Sequence, residues 1–311
     1  MSAPAADATL GRAPAAPART LRRTLRPPRL AASEWLALGV VAVVVLMALF
    51  APLLAPADPD HGDLLSAFAP PGATHWLGTD ATGRDIASRL IYGSRTSLLG
   101  PAAIVVLSLL VGVPLALAAA WHGGVTAWLI TRALDIVFSI PGLLLAILTI
   151  ALFGPGLWPA VISLAVAYLP YIARLTLTAA ERERHLPYID ALSVQGQSVT
   201  RIATLHLLRN LAPVIAGQAT ITFAYALIDL ASLSFLGLAV QAPTADWGVM
   251  LSDRDAVLQG HPGQVVAAGL VVVATVLSLF VLGSRLSGET TGRRGPRLRI
   301  PRRTRRSGGP A

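Results

Sequence analysis

Cysteine and lysine are both absent from this 311-residue chain, and charged side chains make up only 13% of it. Without cysteine there is no disulfide framework, no thiolate nucleophile and no cysteine-based zinc site. Without lysine the chain cannot form a phosphate-binding P-loop, because that motif places a lysine on the nucleotide phosphates. A soluble domain carries roughly 25% charged residues. The deficit here, with a mean hydropathy of +0.64, indicates a protein embedded in lipid.

Patterns for catalysis and metal binding are also missing. The six histidines are scattered, and no two have the i, i+4 spacing of a helical metal pair. There is no Gly-x-Ser-x-Gly nucleophile elbow. We therefore predict no metal site, no bound cofactor and no enzymatic activity. If ATP drives this protein, a different chain must bind it.

Six apolar runs are close to the length of about 20 residues that crosses a bilayer. They predict an all-α membrane protein with six transmembrane helices. The first run follows a basic segment and has no convincing cleavage site after it, so we interpret it as a retained signal-anchor. A Gly-Pro-Gly turn at 154–156 joins the third run tightly to the fourth. The runs are Trp35 to Leu54, 98–121, 134–152, 157–175, 211–235 and 264–283.

The arginines are distributed unevenly around these runs. With the N-terminus inside, 21 of the 25 fall in inner segments and four in outer ones. Basic residues mark the cytoplasmic side of a membrane protein, so both termini and residues 176–210 are predicted to be cytoplasmic. Basic tails can also indicate nucleic-acid binding. We favour the interpretation that the basic tails flank apolar spans on the cytoplasmic side, where they are also attracted to anionic lipid.

Composition divides the chain into four parts. Residues 1–32 are a predicted disordered cytoplasmic tail rich in arginine and proline. Residues 33–97 hold the N-terminal transmembrane helix and a polar outer segment. Residues 98–287 form the core, which includes the cytoplasmic loop. Residues 288–311 are a second disordered basic tail in the cytoplasm.

Residues 231–248 carry the most informative motif, Ala-Ser-Leu-Ser-Phe-Leu-Gly-Leu-Ala-Val-Gln-Ala-Pro-Thr-Ala-Asp-Trp-Gly. This stretch closely resembles the signature of the dipeptide/oligopeptide/nickel ABC-importer permeases, in the subgroup with an extra N-terminal helix. Trp247 within it is expected to anchor at a bilayer interface. Two shorter stretches, Asp135 to Pro141 and Leu169 to Arg174, resemble the family's sequences around the third and fourth helices.

A second motif precedes the second apolar run and resembles the family's Gly-Thr-Asp-x-x-Gly-Arg-Asp stretch. From the residues alone, its carboxylates and arginine can pair, and its glycines permit tight turns. We predict a structural turn at the membrane surface. A phosphate or metal site is the alternative, although the glycines do not lie between a strand and a helix. The motif comprises Gly78, Thr79, Asp80, Gly83, Arg84 and Asp85.

The loop at 188–210 is long and helix-like. Pro187 suits a first helical turn, and Gly196 permits a sharp change of direction, so two short helices should meet at the glycine. The loop resembles the EAA loop of importer permeases, which couples to the ATPase. It departs from the family pattern at Leu192, Ser193, Gln195, Gln197 and Arg209, and a generic amphipathic loop is the alternative. The matching positions include Asp190, Ala191, Gly196, Ser198, Arg201, His206 and Asn210.

Asp229 lies within the fifth apolar run, where a carboxylate costs roughly 2.5–3.5 kcal/mol on insertion scales. Such a residue usually faces a cavity or a partner. We interpret it, with Ser232 and Ser234, as a candidate for the translocation pathway. A carboxylate paired with another helix, or lying near the interface, is the other interpretation.

The resemblance implies a permease subunit with the type I ABC-importer fold in a bacterial inner membrane. It would move di- or oligopeptides inward by alternating access. The implied partners are a second homologous permease, two ATPase subunits that bind ATP and magnesium, an extracytoplasmic solute-binding protein and the bilayer, but no nucleic acid. An ATP-independent channel or secondary transporter remains the alternative, and it would need intramembrane ionisable relays or repeat symmetry.

Overall fold

The computed structural model describes residues 31–292, with side chains as far as residue 288. The two predicted tails lie outside the described residues, apart from Ala31 and Ala32, where the first helix begins at Ala32, and 288–292, which continue the last helix. No β-strand is found in the described range, where only an isolated bridge joins Thr79 to Asp85. The all-α prediction is confirmed.

Five helices in the described range are long and apolar enough to span a membrane, and a bent pair could form a sixth span. Short helices cap or connect them, and a single 3₁₀ turn lies at Leu64–Ser66. The helices are α1 (Ala32–Leu49), α2 (Ala51–Leu54), α3 (Ile86–His122), α4 (Gly124–Phe138), α5 (Gly142–Phe153), α6 (Leu157–Arg184), α7 (Pro187–Val194), α8 (Val199–Arg201), α9 (Leu208–Phe235), α10 (Trp247–Leu251), α11 (Arg254–Leu258) and α12 (Gly263–Gly292).

The sequence predicted one helix for the third apolar run. The structure instead has two helices there, α4 and α5. The two helices meet at a bend of 77°. Pro141 is the cause, because a proline cannot donate the hydrogen bond of a continuing helix and disfavours helical geometry in the residue before it. The stretch from Asp135 to Pro141 therefore contains the break between the two helices, and Pro141 is the N-cap of α5.

Helix α3 begins twelve residues earlier than the apolar run that predicted it. Asp85 caps its N-terminus by accepting a hydrogen bond from the Ser88 amide at 2.7 Å. The added turns contain polar side chains, Ser88, Arg89, Ser94 and Ser97, yet all four are buried. Hydropathy predicted an outer segment here, because it records side-chain polarity and not the neighbours that satisfy it.

Helices α3, α6 and α9 form the centre of the bundle. Ile104 of α3, Leu164 of α6 and Leu233 of α9 are fully buried in one apolar cluster. The Ser108 hydroxyl in α3 donates to the Ala165 carbonyl of α6 at 2.8 Å, a type of interhelical hydrogen bond common where spans pack closely. Helix α1 packs on α3 and α12 at the periphery, and Glu34 of α1 forms an ion pair with Arg285 of α12.

The second short helix predicted after Gly196 is not a separate element. From Val199 the chain stays helical as far as Phe235, with a π-helical segment at Ile202–Leu207 inside the run. The segment after the glycine is thus the beginning of the fifth span.

Candidate functional site

The Gly-Thr-Asp motif forms a compact turn before α3. One oxygen of Asp80 accepts hydrogen bonds from the Thr82 amide and hydroxyl and from the Arg84 amide, at 2.7–2.9 Å. Gly78 and Gly83 have φ values of 81° and 77°. This is the geometry of an Asx-type turn.

The ion pairs in this turn differ from those the sequence suggested. The second oxygen of Asp80 lies 3.7 Å from Nε of Arg89, whereas no ion pair joins Arg84 to either carboxylate in the described residues. Arg89 also donates to the carbonyls of Pro59 and Pro243, at 3.2 and 3.1 Å. Sequence reasoning missed Arg89, because the carbonyls that it binds lie 30 and 154 positions away in the chain.

The 231–248 signature closes the same end of the bundle. Asp246 is buried and caps α10 by accepting from the amides of Gly248 and Val249, while its other oxygen accepts from the Ser97 hydroxyl at 2.7 Å. Burial raises the pKa of this carboxyl above its usual range. Trp247 is 0% exposed, and its indole donates to the Leu90 carbonyl at 3.0 Å. The prediction of an interfacial anchor for Trp247 was wrong, because α3 extends far enough to cover the ring.

The three pathway candidates have different environments. Ser234 is buried, and its hydroxyl accepts from the Val240 amide at 3.3 Å, so it holds the turn after α9. The Ser232 hydroxyl donates to the Ile228 carbonyl of its own helix at 2.8 Å. Asp229 alone of the three lines a cavity of about 430 Å³.

That cavity lies between α6, α9 and the break that joins α4 to α5. The Tyr168 hydroxyl donates to Oδ2 of Asp229 at 2.7 Å, which ties α6 to α9 across it. Aromatic and small apolar side chains make up the rest of the wall. The lining residues are Phe138, Pro141, Gly142, Leu143, Ala167, Tyr168, Tyr171, Tyr225 and Asp229.

An ion-pair cluster borders this cavity. Arg174 of α6 pairs with Asp135 of α4, and Arg132 lies 3.6 Å from the same carboxylate. The Arg174 guanidinium stacks 4.7 Å from the centre of the Phe138 ring, which lines the cavity. The family resemblance of the stretch from Asp135 to Pro141 identified Asp135, but nothing in the sequence pairs it with an arginine 39 positions away.

The loop at 187–210 protrudes from the bundle. Helix α7 ends at Val194, which is 87% exposed, and Gly196 follows with a φ of 78°. Ser198 caps the next helix by accepting from the Arg201 amide, and the His206 ring lies 3.1 Å from the Gln197 side-chain oxygen. These contacts shape the loop from within. Of the predicted coupling positions, His206 is half-buried and the others are exposed, namely Asp190, Ala191, Gly196, Ser198, Arg201 and Asn210.

Three hydrogen-bonded side chains help to join the loop to the bundle. Glu183, at the end of α6 and only 9% exposed, accepts from the Tyr188 hydroxyl at 2.9 Å and from the Asn210 amide at 3.0 Å. The same Asn210 amide lies 3.0 Å from the Tyr188 hydroxyl. Burial, and then the hydrogen bond to Glu183, raise the pKa of Tyr188. Sequence reasoning found Asn210 but missed Glu183 and Tyr188.

Among the residues from 31 to 292, no group of three or more His, Asp or Glu side chains is placed to hold a metal ion. In this range the site consists of hydrogen bonds, ion pairs and the cavity beside Asp229, which is one of several of similar volume. These features define an α-helical membrane protein with a cavity that opens to the surface of the chain and a projecting helical loop.

Comparison with known proteins gives the family. A profile described as "Binding-protein-dependent transport system inner membrane component" matches residues 112–288. A second, the "N-terminal TM domain of oligopeptide transport permease C", matches residues 33–71. The chain belongs to the family of binding-protein-dependent inner membrane transport components. The resemblance seen in the sequence, including the subgroup with an extra N-terminal helix, is confirmed.

Curated relatives cover most of the chain. The di/tripeptide permease DppC of Pseudomonas aeruginosa (strain UCBPP-PA14) is 39% identical over 251 residues, 78% of this chain and 82% of that protein. The dipeptide permease DppC of Alkalihalophilus pseudofirmus is 38% identical over 79% of this chain and 81% of that protein. A structure of the methionine ABC transporter MetNI, facing inward, gives a TM-score of 0.51 at 20% identity over 65% of this chain and 96% of that chain. That likeness shows a shared fold.

Proposed function

We propose that this chain is one of two homologous permease subunits in an ATP-driven importer of small peptides. The observation that carries the proposal is the exposed loop at 187–210, joined to the bundle through Glu183 and continuous with α9. A self-sufficient channel has no need of a projecting, glycine-broken helical loop. The names of the relatives, which are dipeptide and di/tripeptide permeases, support small peptides as the cargo.

Orientation follows from charge. With both termini and the 176–210 loop in the cytoplasm, the arginine excess lies on the inner side, as the positive-inside rule requires. The turn at 78–85 and the segment around Trp247 then face outward, where a solute-binding protein delivers its cargo. The loop faces inward, where two ATPase subunits bind and hydrolyse ATP with magnesium.

Each element then has a part in alternating access. Closure of the ATPase pair moves α7 through contacts with the exposed positions around Asp190. The Glu183 hydrogen bonds pass this displacement to α6 and α9, which line the cavity beside Asp229. The bundle needs two packings that differ by only a few kcal/mol, and ATP binding biases the choice between them.

Reconstitution tests this function. The chain would be purified from native membranes with its companions and placed in liposomes with the solute-binding protein and labelled dipeptide. ATP-dependent uptake, with a P-loop ATPase and a second permease in the complex, is the expected result. A chain that purifies alone and moves solute without ATP would instead establish a channel or secondary transporter.

A further inference from the structure

We propose that the cavity beside Asp229 is a subsite for the α-ammonium group of the transported peptide, formed by the carboxylate and the surrounding aromatic rings. The inference rests on the proposed function, which supplies the peptide as cargo. It goes further by assigning one end of that cargo to one carboxylate.

Asp229 has an acceptor available for such a group. Its Oδ2 accepts from Tyr168, and the described residues provide no hydrogen bond to Oδ1 and no ion pair to either oxygen. A carboxylate within an apolar span is costly unless it faces a cavity or a partner of opposite charge. A cation that enters and leaves during transport would provide that partner at the stage when the cavity is occupied.

The walls suit an organic ammonium. Tyr171 and Tyr225 line the same cavity and are 45% and 44% exposed. Aromatic faces attract ammonium groups, because the negative face of the ring quadrupole meets the positive charge. None of the residues that line the cavity is basic. Nearby Arg174 is occupied by Asp135 and the Phe138 ring, so it does not neutralise Asp229.

Other ligands fit this arrangement less well. A structural metal takes about four ligands and a calcium ion six to eight oxygens, whereas Asp229 is the sole carboxylate among the lining residues. An anionic group would meet a carboxylate with no cation beside it. A peptide amine, which combines one positive charge with an apolar Cα region, matches both the carboxylate and the rings.

The test uses the assembled importer in nanodiscs, without the solute-binding protein. Saturation-transfer NMR would measure the binding of two probes, the dipeptide Ala-Ala and propionyl-alanine, which is Ala-Ala without its amine. Wild type should bind Ala-Ala and should bind propionyl-alanine at least about tenfold more weakly, which is the scale of one charge-assisted contact. Asp229→Asn preserves the shape and the acceptor for Tyr168, and it should reduce Ala-Ala binding to the level of propionyl-alanine.

Control variants separate the subsite from folding. Asp229→Glu keeps the charge and should retain most Ala-Ala binding. Tyr171→Leu removes a ring at an exposed position, so it should weaken Ala-Ala several-fold in a folded protein. Thr220→Val is a matched polar deletion on the same helix, and its hydroxyl bonds only within α9, so it should change nothing. Equal binding of both probes to wild type, no binding of either, or unchanged binding by Asp229→Asn would overturn the subsite.

A parallel uptake assay separates this inference from the proposed function. Wild-type proteoliposomes with ATP and binding protein should accumulate Ala-Ala or Ala-Ala-Ala. Absence of uptake, with amine-dependent binding retained, would reject the peptide importer but leave the cation subsite. Normal uptake, with binding that does not depend on the amine, would reject the subsite and leave the importer.

Discussion

Removal of a single hydroxyl from Tyr188 should loosen the joint between the projecting loop and the bundle. Tyr188→Phe deletes the donor to Glu183 and the acceptor for Asn210, and the ring itself is unchanged. A hydrogen bond to a charged group contributes about 1.5–3 kcal/mol. Tyr188 is partly exposed, so we reduce this to about 1–2 kcal/mol. That corresponds to a factor of roughly 5–30 in the population of the docked loop.

The assay has two readouts. Hydrogen exchange of the α7 amides should accelerate by about the same 5–30-fold factor, because local opening becomes less costly. In proteoliposomes, peptide uptake per ATP hydrolysed should fall, while the ATPase rate without substrate stays unchanged. The matched control is Tyr92→Phe in α3, because the Tyr92 hydroxyl has no hydrogen bond within the described part of the chain. Unchanged α7 exchange and unchanged coupling in Tyr188→Phe would refute the role assigned to this joint.

Three further predictions concern the turns and helix ends. Gly248→Ala would force a methyl group onto the Ala231 carbonyl and the Ser234 side chain and should destabilise the complex by about 1–3 kcal/mol in thermal unfolding; Gly263→Ala, which has open space, should not. Burial raises the pKa of Asp246 in the folded protein. Protonated Asp246 therefore stabilises the fold fully at pH values below the ordinary carboxyl pKa, and this stabilisation is lost as the pH rises through the raised pKa. The melting advantage of wild type over Asp246→Asn should therefore grow as pH falls from 7 towards 4. Gly196→Ala, at a φ of 78°, should cost about 1–2 kcal/mol locally and lower uptake per ATP without altering α3 or α6.

The hydrogen bonds at Glu183 show why part of the candidate site could not be predicted from the sequence. The EAA-like pattern identified Asn210, because that residue lies within a recognisable motif. Glu183 belongs to the end of α6 and reaches Asn210 only when the chain returns 27 residues later. A pairwise contact between separate helices leaves no local pattern in a single sequence.

The sequence by itself determined the class of the protein. Long apolar runs and a low content of charge dictate membrane-spanning helices, because unsatisfied backbone groups are too costly in lipid for other open structures. The motifs at 78–85, 188–210 and 231–248 were sufficient to indicate the family. These features depend on composition and on residues adjacent in the chain, which is why they can be read without coordinates.

Only the tertiary structure decided how polar residues are used. It extended α3 over Trp247, bent the third run at Pro141, gave Asp80 the partner Arg89 and placed Asp229 beside Tyr168 in a cavity. In each case the free energy of burying a polar or aromatic side chain depends on which helix packs against it. Hydropathy assigns every residue a fixed value, whereas burial with a hydrogen-bonding partner changes that value at each site.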